Sequence, residues 1–431
     1  MRPISVLLTN NALAARGGSE TYIRDVALDL LRRGHRPVAF SLILGDVANE
    51  LRRATIPVID DLSRLAEPPD VVHGHHHLET LIAALTFPDA PIVHFCHGWV
   101  PWEELPLRHP SIRRYVAVDD VCVDRLVREE GIDPCRVELL LNFVDLERFR
   151  SRRPLPSRPA RALVLGNAAR DEGYVRAIAA ACHAAGVALD VVGASAGNAS
   201  ATPESLLPGY DLVFAKARTA LEALAVGCAT VVSDAAGAGP LVTPGNYDVL
   251  RPLNFGIRTL TQAHDRSWYA AQIAAYRADA AADVSARVRR EAGLTPAVDR
   301  LLDIYHSAMN APPGAGDPLR AAAAHCRRIA LPLKQAHGMA DQVHALAAGL
   351  ARADAERERL TREAASERDR LRREASCERD RLTGLQRDTQ REIEAFRALP
   401  TIRLRDAVLK APVVGRVVQA GARGLSRMLG N

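Results

Sequence analysis

Short apolar runs rich in β-branched residues alternate with helical patterns over the first 150 residues, break off in a basic, proline-rich stretch, and then begin again. This interrupted alternation limits the fold more than any other feature. Strand and helix in alternation is how a parallel sheet with helices on its faces looks in sequence, and a second start after a linker means a second sheet. The first runs cover residues 4–9, 37–44, 70–73, 91–95 and 115–118, with a helix over 19–33 that Gly34 ends. The stretch 148–161, RFRSRRPLPSRPAR, has no apolar period and reads as the linker. Beyond it, runs at 162–165, 189–192, 212–214 and 230–233 alternate with helices around 175–185 and up to Val226, and helical sequence follows over 267–309.

The chain thus divides into an α/β domain over 1–150, a second over 151–309, a Pro/Gly linker at 310–318, a charged helical segment over 319–398 and a basic amphipathic tail over 399–431. Its 431 residues leave room for two sizeable cores. In the helical segment ERERLTREAAS from Glu356, ERDRLRREASC from Glu367 and ERDRLTGLQRD from Glu378 recur every eleven residues and hold Leu360, Leu371 and Leu382 in register. Eleven residues in three turns is about 3.67 per turn, so such a stripe runs nearly straight or winds right-handed. Only Ala364 and Ala375 accompany the leucines, which leaves a solvated single helix laced by charge pairs and a coiled-coil homo-oligomer both open.

The formal charge of +5 is not spread evenly. From Phe396 to the end seven Lys/Arg stand against one Asp, leaving 49 basic and 50 acidic residues in the first 395 positions. A neutral body argues against nucleic acid as a partner. The tail from Ile402 to Leu429 spaces arginines among Leu, Val and Met as an interfacial helix does, but Pro412, Gly415, Gly421 and Gly424 interrupt it, so packing on a partner is the alternative to membrane contact. Seven cysteines without a Cys-x-x-Cys pair fit reduced thiols. No run reaches the roughly 18 apolar residues of a membrane span, and the first apolar run is too brief for a signal-peptide core. The expected location is the cytoplasm, with peripheral contact at the inner face of the membrane left open.

Two α/β layers joined by a linker leave a cleft outside the carboxyl ends of their strands, where such folds bind nucleotides and phosphates. After the first strand, Arg16-Gly17-Gly18-Ser19-Glu20 opens a helix whose N–H groups can approach a phosphate; the plainer reading is a tight turn with Ser19 as cap. In the second domain Phe214-Ala215-Lys216-Ala217-Arg218-Thr219 sets two cations beside a helix start, as a diphosphate requires. Glu222 follows one turn in, where a carboxylate can take a ribose diol or, as Thr219-x-x-Glu222, merely close a capping box. His97 falls just past a buried strand and before Gly98, facing the cleft. His73, His75, His76 and His77 crowd a similar strand end; no spaced carboxylate or cysteine completes a metal site, and surface-loop histidines are the plainer reading. A Gly-x-Ser-x-Gly elbow, a Walker loop and a His-Glu-x-x-His helix are absent, against serine hydrolase, P-loop and zinc protease chemistry.

Together these segments resemble the retaining glycosyltransferases of family 4, which have the GT-B fold. Gly17-Gly18-Ser19-Glu20 is similar to the family's Gly-Gly-x-Glu loop, and Asp70-Val-Val-His-Gly-His75 and His94-Phe-Cys-His-Gly98 to its two histidine strand ends. Asn142-Phe-Val-Asp145 with Phe149 resembles its Asn-Gly-Val-Asp…Phe segment, and residues 220–234, ALEALAVGCATVVSD, its nucleotide-sugar helix and strand. The likeness runs from residue 1 to about 309. It implies two Rossmann-like domains facing across a cleft, the first for the acceptor and the second for a nucleotide sugar.

The resemblance further implies a metal-independent, hexosyltransferase-like enzyme without cofactor, moving a sugar from a UDP- or GDP-type donor to a glycan or lipid-linked acceptor, as in cell-surface polysaccharide synthesis. His97 would be catalytic and sit against the transferred sugar. Gly17, Gly18, Asn167, Arg170, Lys216, Arg218 and Glu222 would bind the donor, with Glu20 and His75 on the acceptor side. The chain departs from the family pattern where Phe214 replaces a second glutamate eight residues before Glu222, and where Asn167 and Glu172 replace two phosphate-binding cations. Those departures motivate the alternative of a catalytically silent GT-B scaffold, or nucleotide-sugar-binding module, that assembles partners at a membrane.

Overall fold

The computed structural model describes residues 2–170 and 173–410; Glu172 and most of the basic tail, on which two of the expectations above rest, lie outside the described residues. The chain divides into two units between Ala330 and Leu331.

The first unit holds two large sheets and a two-stranded parallel pair of Ala12–Leu13 with Ile43–Leu44. Seven strands, β1 Ser5–Thr9, β2 Arg36–Phe40, β3 Val58–Ile59, β4 Val71–Gly74, β5 Ile92–Cys96, β6 Ile112–Ala117 and β7 Val137–Leu139, form one sheet in the order β3-β2-β1-β4-β5-β6-β7. All of its pairings are parallel. Val6, Leu7 and Leu8 of β1 are fully buried, as expected of a parallel strand covered on both faces. Strand order reverses between β1 and β4, so a crevice opens at the carboxyl ends of β1, β4 and β5. Those ends carry the Gly17-Gly18 loop, His75 and His97. Helix α1 Gly18–Arg32 follows β1, and α2 His77–Thr86 follows β4.

The second sheet contains β8 Arg161–Leu165, β9 Ala188–Val192, β10 Leu212–Ala215, β11 Ala229–Asp234 and β12 Gly237–Leu241, ordered β9-β8-β10-β11-β12 with only β12 antiparallel. Helix α3 Ala217–Val226 leaves the end of β10. Phe214 is buried inside this domain with its ring 5.8 Å from Tyr269, so its place in the fold is a packing one.

The crossings between the domains differ from the boundaries read in sequence. Phe143 belongs to the first core while Val144 and Phe149 belong to the second, so the chain crosses before residue 150. It returns between Ala292 and Leu294, and α4 Leu294–Asn310 packs on the first sheet, over β4, β5 and β6 beside α1. The physical reason is its apolar stripe: Val298, Leu301, Leu302 and Tyr305 recur at helical spacing and share a core with Val6, Leu8 and Val26. The two crossings are bonded to each other, Val144 N–H to the Ala292 carbonyl at 2.8 Å and Leu294 N–H to the Val144 carbonyl at 2.9 Å. The linker after α4 is held as well, with Gly314 N–H donating to the Pro110 carbonyl at 2.9 Å.

Helix α5 Pro318–Ala398 begins inside the first unit, where Ala322 and Ile329 are buried and Arg328 pairs with Glu130. In the second unit it passes Pro332 and continues to Ala398, and α6 Pro400–Lys410 follows. The eleven-residue repeat returns as ion pairs, Arg359–Glu356 at 2.5 Å, Arg370–Glu367 at 2.8 Å and Arg381–Glu378 at 3.5 Å. Among the described residues no helix is long and apolar enough to cross a membrane.

Because α4 completes the first core, Leu301→Ala is expected to lower stability by about 2–5 kcal/mol, the usual range for emptying a fully buried leucine site. Denaturant unfolding checks this; a loss below about 1 kcal/mol would mean that the helix does not carry the core.

Candidate active site

At the carboxyl ends of β4 and β5 three imidazoles stand in a row. His73 Nε2 lies 2.8 Å from His75 Nε2, which lies 3.0 Å from His97 Nε2. Behind them the Tyr305 hydroxyl, from α4, meets His73 Nδ1 at 2.5 Å. Glu104 holds the His97 turn by accepting its backbone N–H at 2.9 Å, and faces His76 Nε2 at 3.4 Å. His76 accepts the Asn11 N–H on its other nitrogen, so its Nε2 carries the hydrogen that meets Glu104. The expectation of surface-loop histidines is therefore corrected: His73, His75, His76 and His77 are all buried, because β4 lies in the middle of the sheet and α2 starts at once. Among the described residues no group of three or more His, Cys, Asp or Glu side chains is placed to hold a metal ion.

Burial sets the charge state of the row. It pushes His97 down to about 4 against the opposing pull of Glu104, and holds His73 and His75 well below the ordinary imidazole range. His77, bonded to His325 at 2.8 Å, is likewise pushed down to about 4 by burial. These rings are neutral near pH 7.

The second domain approaches the same point from α3. Lys216 is the cap residue of that helix and makes no capping bond, and Thr219 and Glu222 form no capping box. Glu222 instead receives Arg218 Nε at 3.0 Å. Ala217 sits at φ 52°, a left-handed conformation costly for a residue with a Cβ, and its N–H donates to the Phe255 carbonyl at 2.9 Å. The helix start is thereby anchored to the strained Asn254-Phe255 turn, both at positive φ. Asn254 in turn clasps the first domain, accepting the Asn142 N–H at 3.2 Å and donating to the Val118 carbonyl.

Arg218 crosses the cleft. Its guanidinium bonds Asp25 of α1 as well as Glu222, and lies 5.9 Å from the centre of the Phe143 ring. Asp25 also binds Arg24 at 2.6 Å and Arg148 at 3.4 Å, and Arg24 and Arg16 share Glu50. Four guanidinium groups thus stand against three carboxylates, and the Arg218 and Asp25 side chains are only 11% and 1% exposed. Burial pushes the Glu222 carboxyl up even with Arg218 beside it. Tyr22 links the histidine row to Phe143: its ring is 4.9 Å from that of His97, 5.3 Å from His75 and 4.7 Å from Phe143.

His75, His97, Arg218 and Glu222 are therefore gathered at one place. Lys216 turns to Asp234 instead, at 3.0 Å. Asn167 and Arg170 lie exposed at the end of β8. At the first helix start Gly17, not Ser19, is the cap residue, and Ser19 bonds Glu20. A Cβ on Gly17 would strike the Glu20 carboxylate, whereas a Cβ on Gly18 would stand in open space. Sequence reasoning missed Asp25, Tyr22, Phe143 and Tyr305. Asp25 left a readable trace, an acid set among the buried Ile23, Val26 and Leu30 of α1; Tyr305 left none, because it reaches His73 across 232 residues of chain.

Residues 16–148 match the Glycosyltransferase Family 4 domain. A glycosyltransferase from Rickettsia africae superposes with TM-score 0.53 at 15% identity, covering 72% of this chain and all of its own. A structure of Anabaena Alr3699/HepE in complex with UDP-glucose gives 0.53 at 14% identity over 70% of this chain and all of its own. No curated protein matches the sequence. Residues 16–148 are thus similar to glycosyltransferase family 4, and the two-sheet part of the chain has the GT-B fold.

Two outcomes follow from the site. Unfolded, the imidazoles take up protons near their ordinary value of about 6.5, but folded His97 and His77 resist until about 4. The unfolded chain then binds more protons between those values, so stability is intact above pH 6.5 and falls as pH drops toward 4, by about 1.4 kcal/mol per unit for each ring. Melting temperature against pH reads this, and a flat profile would contradict neutral burial. Asp25→Ala strips a shared carboxylate from three arginines and is expected to cost about 3–5 kcal/mol in denaturant unfolding.

Proposed function

We propose that the chain transfers a sugar from a UDP- or GDP-type donor to a glycan or lipid-linked acceptor, with retention at the anomeric carbon, in cytoplasmic synthesis of cell-surface polysaccharide. The observation that carries this reading is the meeting of His97 from one domain with Arg218 and Glu222 from the other around Tyr22 and Phe143. The UDP-glucose held by the Anabaena protein favours a uridine donor.

In this mechanism the leaving nucleoside diphosphate gains charge while the sugar becomes cation-like, so catalysis consists of meeting that charge with fixed donors. Arg218 exchanges Asp25 for a phosphate oxygen, and Lys216 exchanges Asp234. Asn167 and Arg170 approach from the end of β8, and the N-terminal N–H groups of α3 add their dipole. These cations do the work for which other transferases recruit a metal ion. Glu222, once Arg218 moves to phosphate, accepts the ribose hydroxyls. The bare Gly18 backbone, with Gly17, lets the sugar come close. Neutral His97 hydrogen-bonds a sugar hydroxyl without placing a second positive charge against the developing cation. Glu20 and His75 face the acceptor side.

UDP- and GDP-sugars at about 100 times their dissociation constant should stabilise the protein by about 2.7 kcal/mol in thermal unfolding. Arg218→Lys, which loses the planar fork, should weaken that shift, and His97→Ala should keep it while lowering turnover at least about 100-fold. If no nucleotide sugar raises the melting temperature, the reading falls. A shift without turnover on any acceptor leaves a nucleotide-sugar-binding scaffold.

A further inference from the structure

All ten of the exposed large apolar side chains between Met339 and Phe396 lie on one side of α5. At about 100° per residue they fall within an arc of about 120°, a single stripe about 86 Å long that includes Leu360, Leu371 and Leu382, each about half exposed. Nothing among the described residues of this unit covers it.

We propose that the stripe docks a second copy of this chain, with the two helices antiparallel and the two-fold axis between Glu367 and Arg368. The stripe is broken by charges whose placement selects this pairing. In a parallel, in-register pair Arg357 would face Arg357 and Arg368 would face Arg368, and like charges held opposite one another are destabilising. In the antiparallel register Arg357 meets Glu378, Glu356 meets Arg379 and Arg368 meets Glu367. The same register matches sizes: Leu360 meets Ala375, Leu371 meets Ala364 and Leu382 meets Ala353, while Leu350 meets Leu385 and Met339 meets Phe396. Large against small through the middle is what lets two helices approach closely. Segment 356–388 carries ten arginines and nine acidic residues, so a copy of itself is not repelled and a strongly charged partner gains little. This pairing is independent of the sugar-transfer reading.

Sedimentation velocity of the full chain at micromolar concentration should give a dimer; a monomer at every concentration overturns the proposal. Replacing Leu360, Leu371 and Leu382 together by glutamate should weaken association at least 100-fold with the melting of the first unit unchanged, and a persistent dimer would place the interface elsewhere. Arg357→Glu should weaken the dimer and added Glu378→Arg should restore it; absence of rescue removes the antiparallel register. Vesicles containing phosphatidylserine provide the remaining arm. A monomeric chain that pellets with them, and fails to after the triple leucine substitution, would make the stripe a membrane surface instead.

Discussion

The ion pair between Arg218 and Asp25 is the contact on which the arrangement of the cleft depends. It joins the start of a helix in one domain to the middle of a helix in the other, and both side chains are withdrawn from water. A buried guanidinium is tolerated only where carboxylates surround it, and here Asp25 and Glu222 divide that task. The directly paired groups are four guanidiniums and three carboxylates, with Asp145 next to Asp25 and bonded to the Arg148 backbone N–H.

Around that pair, the clefts of both domains are built with unusual backbone. His76, Ala217, Asn254 and Phe255 all adopt positive φ, and all four lie at strand ends or turns bordering the domain junction. Strain of this kind persists only where neighbouring contacts over-determine it. Arg251 and Asn254 provide them, binding the Asn142 segment at 2.7 and 3.2 Å while that segment crosses between the domains. The paired crossings at Val144 and Leu294 sit next to it, so the two domains are joined by two hydrogen-bonded chain segments and a polar clasp rather than by a free linker. The neutral histidine row fits the same pattern of charge: the cations at the junction are arginines, which burial does not easily discharge, and burial keeps the imidazoles near them uncharged.

Much of this organisation was legible in the residues. Alternating apolar runs located nearly every long strand, because a strand buried on both faces must be β-branched and continuous. That the Gly17-Gly18 turn and His97 lie beside the crevice was legible because strand ends in such sheets line it. The capping roles read for Ser19 and Thr219 failed, since helix starts are settled by backbone conformation, and here Gly17 and Lys216 hold the cap positions without side-chain bonds. The domain boundaries were read too simply: an apolar helix after the second domain looks the same in sequence whichever sheet it covers, and α4 returns to the first.

What local chemistry dictated is the set of elements and the types of group at their ends: two parallel sheets, a charged helix with an eleven-residue period, and cations beside a helix start. These follow from spacing along the chain, where neighbours are close whatever the fold. Pairings across long separations had no such record. That Arg218 reaches Asp25 rather than solvent, that Tyr305 backs the histidine row, and that four histidines of an apparent loop are buried were decided by how the sheets and helices pack, because burial and partner identity are properties of three-dimensional neighbours.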